Sequence, residues 1–249
     1  MISSTTIDYV LVPFFFHFSF YWVAVLITYL VDSFRLPKHH INWSRYGLAA
    51  KVSLRNQFTI SLPTLYLLRN QVQASVQSAE SHMYIVQLIE IVLLINVANL
   101  FFYWSHRLLH VPLFFRMIHA QHHEFMEPIG VAAMYAHPLE HLISNTLSFL
   151  LPLIVFSCSY RMMLTLLSLA SFSTVLYHTP SFKFFSDHLV HHQRFKTNFG
   201  FGRYLDEWFG TSSSKEERVS VSTISSKDEP SEESVNVTKE EAIVKEKDQ

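Results

Sequence analysis

The stretch that decides the fold runs from Met83 to His123: MYIVQLIEIVLLINVANLFFYW over Met83–Trp104, then SHRLLHVPLFFRMIHAQHH over Ser105–His123. The first part is apolar apart from Gln87, Glu90, Asn96 and Asn99. At 1.5 Å rise per residue, a helix of that length crosses a hydrocarbon layer of roughly 30 Å. The second part begins where the span ends and brings His106 and His110, then His119, His122 and His123. Residues three and four apart share one face of a helix. The spacing therefore predicts imidazoles gathered just outside a membrane.

Outward from this stretch, Tyr9–Val31 is a second apolar, aromatic-rich run, interrupted only by His17 and small hydroxyls. It has no basic segment before it and no small-residue cleavage site before Arg35, which predicts a retained span rather than a cleaved leader. Phe58–Leu68 is weaker, broken by Pro63 and flanked by Arg55 and Arg69, and reads as crossing or re-entrant. Leu142–Ser159 and Met162–Tyr177, joined at Ser159–Arg161, predict a helical hairpin. Residues 35–55 carry Arg35, Lys38, Arg45, Lys51 and Arg55 without an acid, which places this basic loop in the cytosol. Most other bases fall in 105–141 and 178–209, so two apolar hairpins would return the chain each time to the same face.

The chain is 49% hydrophobic and 16% charged. Half of its 20 acids lie in residues 211–249, so the preceding part is too sparsely charged for an ordinary soluble surface. Scattered bases give no nucleic-acid footprint. The single cysteine, Cys158, excludes a disulfide scaffold and any zinc site built on paired cysteines. Residues 211–249, rich in Ser, Glu, Lys and Thr and without an aromatic, predict a disordered cytosolic tail.

Of 15 histidines, 11 lie between His106 and His192. His188-Leu189-Val190-His191-His192 repeats the HxxHH pattern of His119–His123, and His178 stands at the exit of the hairpin. Two HxxHH boxes with HxxxH supply enough imidazoles for two metal ions, with nitrogen–metal distances of about 2.0–2.2 Å. Zinc hydrolases of the His-Glu-x-x-His type need a glutamate beside the first histidine. Here Ala120 and Leu189 stand there. The Glu-x-x-His of soluble di-iron bundles is missing too. An all-imidazole dinuclear site leaves iron with oxygen activation as the better match, although imidazole by itself does not separate iron from zinc. A proton-relay cluster is the competing reading, and Glu90 is the one carboxylate inside a span that would serve it.

The chain resembles the fatty acid hydroxylase superfamily, which includes C-4 methylsterol oxidases and sphingolipid hydroxylases, from about Leu100 to Thr211. Ser105–His110, Ile118–Glu124 and Pro128-Ile129-Gly130 look like its first two boxes. Tyr135-Ala136-His137-Pro138-Leu139-Glu140-His141 is similar to the element that follows them, and His188–His192, Asn198-Phe199 and Asp206 through Thr211 resemble the closing box. The resemblance implies a membrane-bound, O2-dependent lipid C–H oxygenase, a C-4 methylsterol oxidase-like hydroxylase in the endoplasmic reticulum membrane. It implies two iron ions, and electrons from NAD(P)H through cytochrome b5 or its reductase. An acidic cytochrome could dock on Lys183, Arg194, Lys196 and Arg203. Alternatives are a sphingolipid or fatty acid hydroxylase, or a non-enzymatic, degenerate member. The third box departs from the usual His-x-Gly-Tyr: this chain has His178-Thr179-Pro180-Ser181-Phe182.

The expected architecture is all-α: an integral membrane bundle of about four to five spanning or re-entrant helices under a cytosolic histidine-rich di-metal cap. It divides into membrane helices and the basic loop (1–99), a hydroxylase-type di-iron domain (100–211) and the tail (212–249). The expected metal ligands are His106, His110, His119, His122, His123, His178, His188, His191 and His192. His137, Glu140, His141, Asn198 and Asp206 are candidates to hold ligand imidazoles, with Asp187 as a further carboxylate. His17, His39, His40 and His82 are read as non-ligands, and Tyr103, Trp104 and Trp208 as headgroup-level aromatics. The apolar substrate would enter from the bilayer past Leu142–Tyr177.

Overall fold

The computed structural model describes residues 3–35, 42–80, 82–182 and 186–214. The expected tail from 215 on, together with Lys38, His39, His40 and Lys183, lies outside the described residues. Among the described residues the chain is all helix and turn. The first helix, α1, is Ser4–Arg35. It is followed by α2 (Trp43–Asn56), which runs through a wide π turn at Gln57–Ser61 into α3 (Leu62–Ala79). Next come α4 (Tyr84–Leu109) and α5 (Pro112–Met117). The hairpin consists of α6 (Pro138–Val155) and α7 (Tyr160–Tyr177). Two short helices close the chain, α8 (Ser186–Arg194) and α9 (Arg203–Trp208). Three helices, α1, α4 and α6, are long and apolar enough to cross a membrane.

One expectation needs correction. The basic stretch 35–55 is not a loop throughout: from Trp43 it is helical, capped by Asn42 Oδ1, which accepts from Arg45 N at 3.1 Å. Phe58–Leu68 is accordingly the middle of a longer helical run rather than a separate segment. Pro63 does not break that run, and the backbone explains why. Proline removes the bond to the carbonyl four residues back and clashes with it. For Pro63 that residue is Thr59, at the centre of the π turn Gln57–Ser61; for Pro13 it is Tyr9, at the centre of another π turn, Ile7–Leu11. The wider turn gives the ring room.

Apolar clusters fill the interior, but polar groups are buried among them and the outer face is apolar, unlike that of a water-soluble bundle. Phe15, Phe16, Phe20, Val23, Leu26 and Leu30 on α1, and Ile85, Ile89, Val92 and Leu93 on α4, are exposed. Thr28, Ser53, Asn56, Gln57 and Asn99 are buried. Two of them, Ser53 and Asn56, together with Tyr21, hold the backbone of an irregular segment within the bundle. Tyr21 Oη and Ser53 Oγ both donate to Val131 O, at 2.9 and 3.0 Å, and Asn56 Nδ2 donates to Met134 O and Ala136 O at 3.1 and 2.8 Å. Backbone at this depth must find such partners. At Gly130 the approach is so close that a Cβ would lie 2.5 Å from Thr28 Oγ1 and 2.9 Å from Val175 Cγ1.

Candidate metal centre

Four separated segments deliver nine imidazoles to one place. His106 lies in the last turn of α4 and His110 caps it; His119, His122 and His123 ride a 3₁₀ turn; His178 caps α7; His188, His191 and His192 lie on α8. They sort into two groups whose ligand atoms lie within 4.8 Å of one another: His106, His110, His119, His123 and His191, and His122, His178, His188 and His192. Each HxxHH box is shared. Its first and last histidines go to one group and its middle one to the other. On α8 the reason is angular, because positions i and i+4 lie about 40° apart while i+3 falls about 60° on the other side. The two groups therefore interlock through both boxes.

The tautomers can be read from the outer ring nitrogens. His106 Nδ1 faces Phe199 O at 2.7 Å, His122 Nδ1 Tyr135 O at 3.1 Å, and His178 Nδ1 Thr174 O at 2.7 Å. His191 Nδ1 faces Thr197 O at 2.7 Å and His192 Nδ1 faces Phe125 O at 3.0 Å. A carbonyl only accepts, so each Nδ1 carries the hydrogen, and each Nε2 of a neutral ring presents a bare lone pair. Burial, reinforced by the neighbouring rings, pulls His178 down to about 3; burial alone pulls His122 to about 4, and His110, His119, His123, His188, His191 and His192 well below the ordinary imidazole value. The rings are thus neutral near pH 7.

Yet His122 Nε2 and His178 Nε2, both lone pairs, lie 3.3 Å apart. His192 Nε2 to His188 Nε2 is 3.2 Å and His188 Nε2 to His178 Nε2 is 3.1 Å; one ring hydrogen on His188 could serve only one of them. In the other group, His106–His119, His123–His119 and His110–His191 Nε2 separations are each 3.1 Å. Two nitrogens each ~2.1 Å from a common ion, at 90° to 109°, are separated by ~3.0 to 3.4 Å. The donor set and its spacing fit a divalent metal in each group.

The structure also places the proposed holders of these ligands. Glu140 is buried with Oε2 2.9 Å from His119 Nδ1, although the two are not aligned for a full hydrogen bond. Asp206 touches no histidine; it accepts from Phe199 N (2.7 Å), Gly200 N (3.0 Å) and Thr211 Oγ1 (2.8 Å) and so fixes the loop whose Phe199 carbonyl holds His106. Asn198, at φ 59°, ties Asp187 O to Ser213 rather than a ligand. His137 caps α6 by accepting from Leu139 N, and His141 bonds Ser61 and Asn145. Asp187 lies 3.7 Å from Arg203. His17 and His82 stand apart from the cage, bonded to Ser171 and Glu90. Tyr103 is no headgroup aromatic: it is fully buried, with its hydroxyl on Thr211 Oγ1 and Arg107 Nη1, both at 3.0 Å. Trp104 and Trp208 are exposed.

Sequence reasoning passed over Asn99. It sits on the same face of α4 as His106, seven residues earlier, and its Oδ1 accepts from Phe201 N (3.1 Å) and Gly202 N (3.2 Å). A buried amide two turns before a ligand was the available signal.

Beside the cage lies a largely apolar cavity of about 490 Å³, lined in part by α6 and α7, the helices that the sequence reading expects along a substrate path. Two of its wall residues touch the cage: Phe102 packs on His106 (ring centroids 5.2 Å apart) and Tyr177 on His188 (6.5 Å).

Comparison with known proteins places this geometry in a family. The fatty acid hydroxylase family model matches residues 91–211. The chain is 37% identical over 128 residues to fatty acid hydroxylase domain-containing protein 2 of Homo sapiens, across 50% of this chain and 38% of that one. It is 30% identical over 194 residues to a Dictyostelium discoideum protein provisionally named a methylsterol monooxygenase, across 71% of this chain and 70% of that one. To sphinganine C4-monooxygenase 2 of Arabidopsis thaliana it is 34% identical over 113 residues, 41% and 44% of the two chains. The match thus spans well under half of the human relative's length. No solved structure matches. The interlocked boxes and these similarities agree: the chain belongs to the fatty acid hydroxylase family.

Proposed function

We propose that the protein is a membrane-bound di-iron oxygenase that uses O2 to hydroxylate a C–H bond of a lipid, a sterol in the first place. The observation that carries this is the facing of the bare Nε2 lone pairs of His122 and His178 at 3.3 Å, with Nε2 separations of 3.1–3.2 Å repeated through both buried histidine groups, a spacing that a shared cation accounts for. Iron, when bound, supplies the activation of O2 and the abstraction of hydrogen from an unactivated carbon. The chain's own residues do the rest. His106, His110, His119, His123 and His191 would hold one ion and His122, His178, His188 and His192 the other. Backbone carbonyls fix five of these rings in the tautomer that ligates, and Glu140 supports a sixth. The cavity wall at Phe102 and Tyr177 presents an apolar molecule to the cage and keeps bulk water out.

Names of relatives support a sterol, and the sphinganine C4-monooxygenase likeness supports a sphingolipid or fatty acyl chain as the second reading. In this proposal the protein sits in the endoplasmic reticulum membrane with the cage on the cytosolic side, where a cytochrome b5-type donor delivers electrons from NAD(P)H. Arg194, Lys196 and Arg203 offer that donor a basic surface. The test is metal analysis of the purified full chain, followed by O2-dependent turnover of 4-methylsterols and of sphinganine. Two irons per chain, one for each group, with hydroxylated product supports the proposal; a folded chain that takes up no iron refutes it.

A further inference from the structure

The cavity is largely apolar, and one of its polar patches is built to meet a hydroxyl. Ser61, Asn145 and Thr146 line it together with His141. His141 and Ser61 are buried from bulk solvent. They come from two π turns packed against each other, Gln57–Ser61 and His141–Leu147. The first has Pro63 behind it, whereas no proline follows the second within four residues. A π turn of that kind is often found at a functional site. Successive helical residues point about 100° apart, so Glu140 reaches the cage while His141 turns into the cavity.

The hydrogens of this patch can be assigned. Asn145 Nδ2, a donor only, lies 3.3 Å from His141 Nδ1, so that nitrogen accepts. The ring hydrogen is then on Nε2 and is donated to Ser61 Oγ at 2.9 Å. Ser61 keeps its own hydroxyl hydrogen. Among the described residues the nearest acceptor for it is Thr146 Oγ1 at 3.4 Å, long against the usual ~2.5–3.0 Å for O–H···O. Among the described residues, Asn145 engages His141 through Nδ2 and none donates to its Oδ1. The patch thus shows the cavity one donor held only by a long contact and one open acceptor, the complement of an alcohol. The polar spot at His17 and Ser171 differs. Ser171 donates to Leu167 O and takes the His17 Nδ1 hydrogen at 2.6 Å, which leaves the His17 Nε2 acceptor without a matching donor.

We propose that Ser61 and Asn145 select lipids that carry a free hydroxyl on an otherwise apolar body, with His141 as the residue that positions both. The inference rests on the reading of this cavity as the substrate site of a lipid oxygenase. Ser61 O–H would donate to the ligand oxygen, and the ligand O–H would donate to Asn145 Oδ1. A cavity of about 490 Å³ lies within the usual range for one small-molecule ligand. Two sources share this chemistry, a sterol alcohol and a long-chain alcohol.

The test is equilibrium binding to the purified full-length protein, with two pairs of tritiated probes: cholesterol against cholest-5-ene, and octadecanol against octadecane. We expect the alcohol of at least one pair to bind about tenfold more tightly than its deoxy partner, the worth of a well-made hydrogen-bonded pair. The pair that shows the preference identifies the source. Ser61→Ala with Asn145→Leu brings the ratio close to one while leaving the deoxy probe and the iron content unaltered. Ser61→Ala alone lowers the ratio by about threefold, which covers the case of a double variant that fails to fold. His141→Leu lowers the same ratio, a readout that a purely structural role would not move. An alcohol preference absent from both pairs in the unaltered protein, or one that survives in the variants, overturns the proposal. Selectivity without turnover would instead sink the oxygenase reading and leave this one standing.

Discussion

Replacing Asn99 by Leu tests how the cage is held from outside. Leucine has a similar size and no hydrogen-bonding group. The substitution removes the acceptor of Phe201 N (3.1 Å) and Gly202 N (3.2 Å), and the weaker donor to Gly202 O (3.4 Å). Stranding two part-buried amides costs ~2 kcal/mol, taking the lower end of the penalty for each. That loss falls on the segment whose Phe199 carbonyl fixes the tautomer of His106 at 2.7 Å. Loss of such a holder lowers metal affinity by roughly 10–100-fold. Only the five-histidine group contains His106, so the effect should be selective. The expected result for Asn99→Leu is a lower melting temperature and a fall in iron from about two per chain towards one, with the four-histidine group still loaded. Thermal unfolding in detergent and elemental analysis at limiting iron measure both. Wild-type stability with full iron content would refute the reasoning, and equal loss from both groups would show that the cage does not divide as its geometry indicates.

Gly130→Ala should destabilise the protein by ~1–3 kcal/mol, since its Cβ meets Thr28 and Val175, whereas Gly47→Ala, mid-helix with nothing within 4 Å, should raise the melting temperature slightly. Metal-free protein should lose stability as pH falls below about 6.5, because the unfolded chain protonates histidines that the folded one keeps neutral. His122 (about 4) and His178 (about 3) by themselves account for ~4 kcal/mol at pH 5, at ~1.4 kcal/mol per proton and pH unit. A melting temperature flat from pH 7.5 to 5 would contradict this, and bound metal should blunt the effect. Glu140→Gln should weaken metal binding in the five-histidine group and not in the other, as read by competition with a chelator. Asn42, within the sequon Asn42-Trp43-Ser44, should stay unglycosylated in cells if that face is cytosolic.

What could be read from the sequence was whatever has a period or a run. Hydropathy exposed the spans at Tyr9–Val31 and Met83–Trp104 because their apolar side chains face outwards continuously. The HxxHH spacing exposed the histidines because three- and four-residue intervals survive any packing. The partition between groups was not legible, since it depends on how α4, α7 and α8 meet. Nor were most holders of the ligands. Five of the rings rest on backbone carbonyls, which every residue possesses and no side chain announces. The search for carboxylates found Glu140 and attached to Asp206 a direct role that it plays only through the Phe199 loop. The helix at Trp43–Asn56 was hidden by its bases, although Asn42 supplied an ordinary capping signal.

The altered third box bears most directly on function, because a missing Gly-Tyr pair invites the conclusion that the site has decayed. The placement of His178 argues otherwise. Its backbone is set by the end of α7, and its Nδ1 is held by Thr174 O one turn earlier, so both orienting elements precede the departure from the family pattern. Thr179 returns its hydroxyl to Val175 O and extends the same helix end. With Nε2 3.3 Å from His122 and 3.1 Å from His188, His178 completes the four-histidine group without help from Pro180, Ser181 or Phe182. If the box has changed anything, the change lies beyond the ligand. His178→Ala should therefore empty the four-histidine group, whereas Phe182→Tyr, which adds an aromatic hydroxyl one position past the family's tyrosine, should leave metal content as it is. An unaltered metal content in His178→Ala would mean that the box has indeed left the centre.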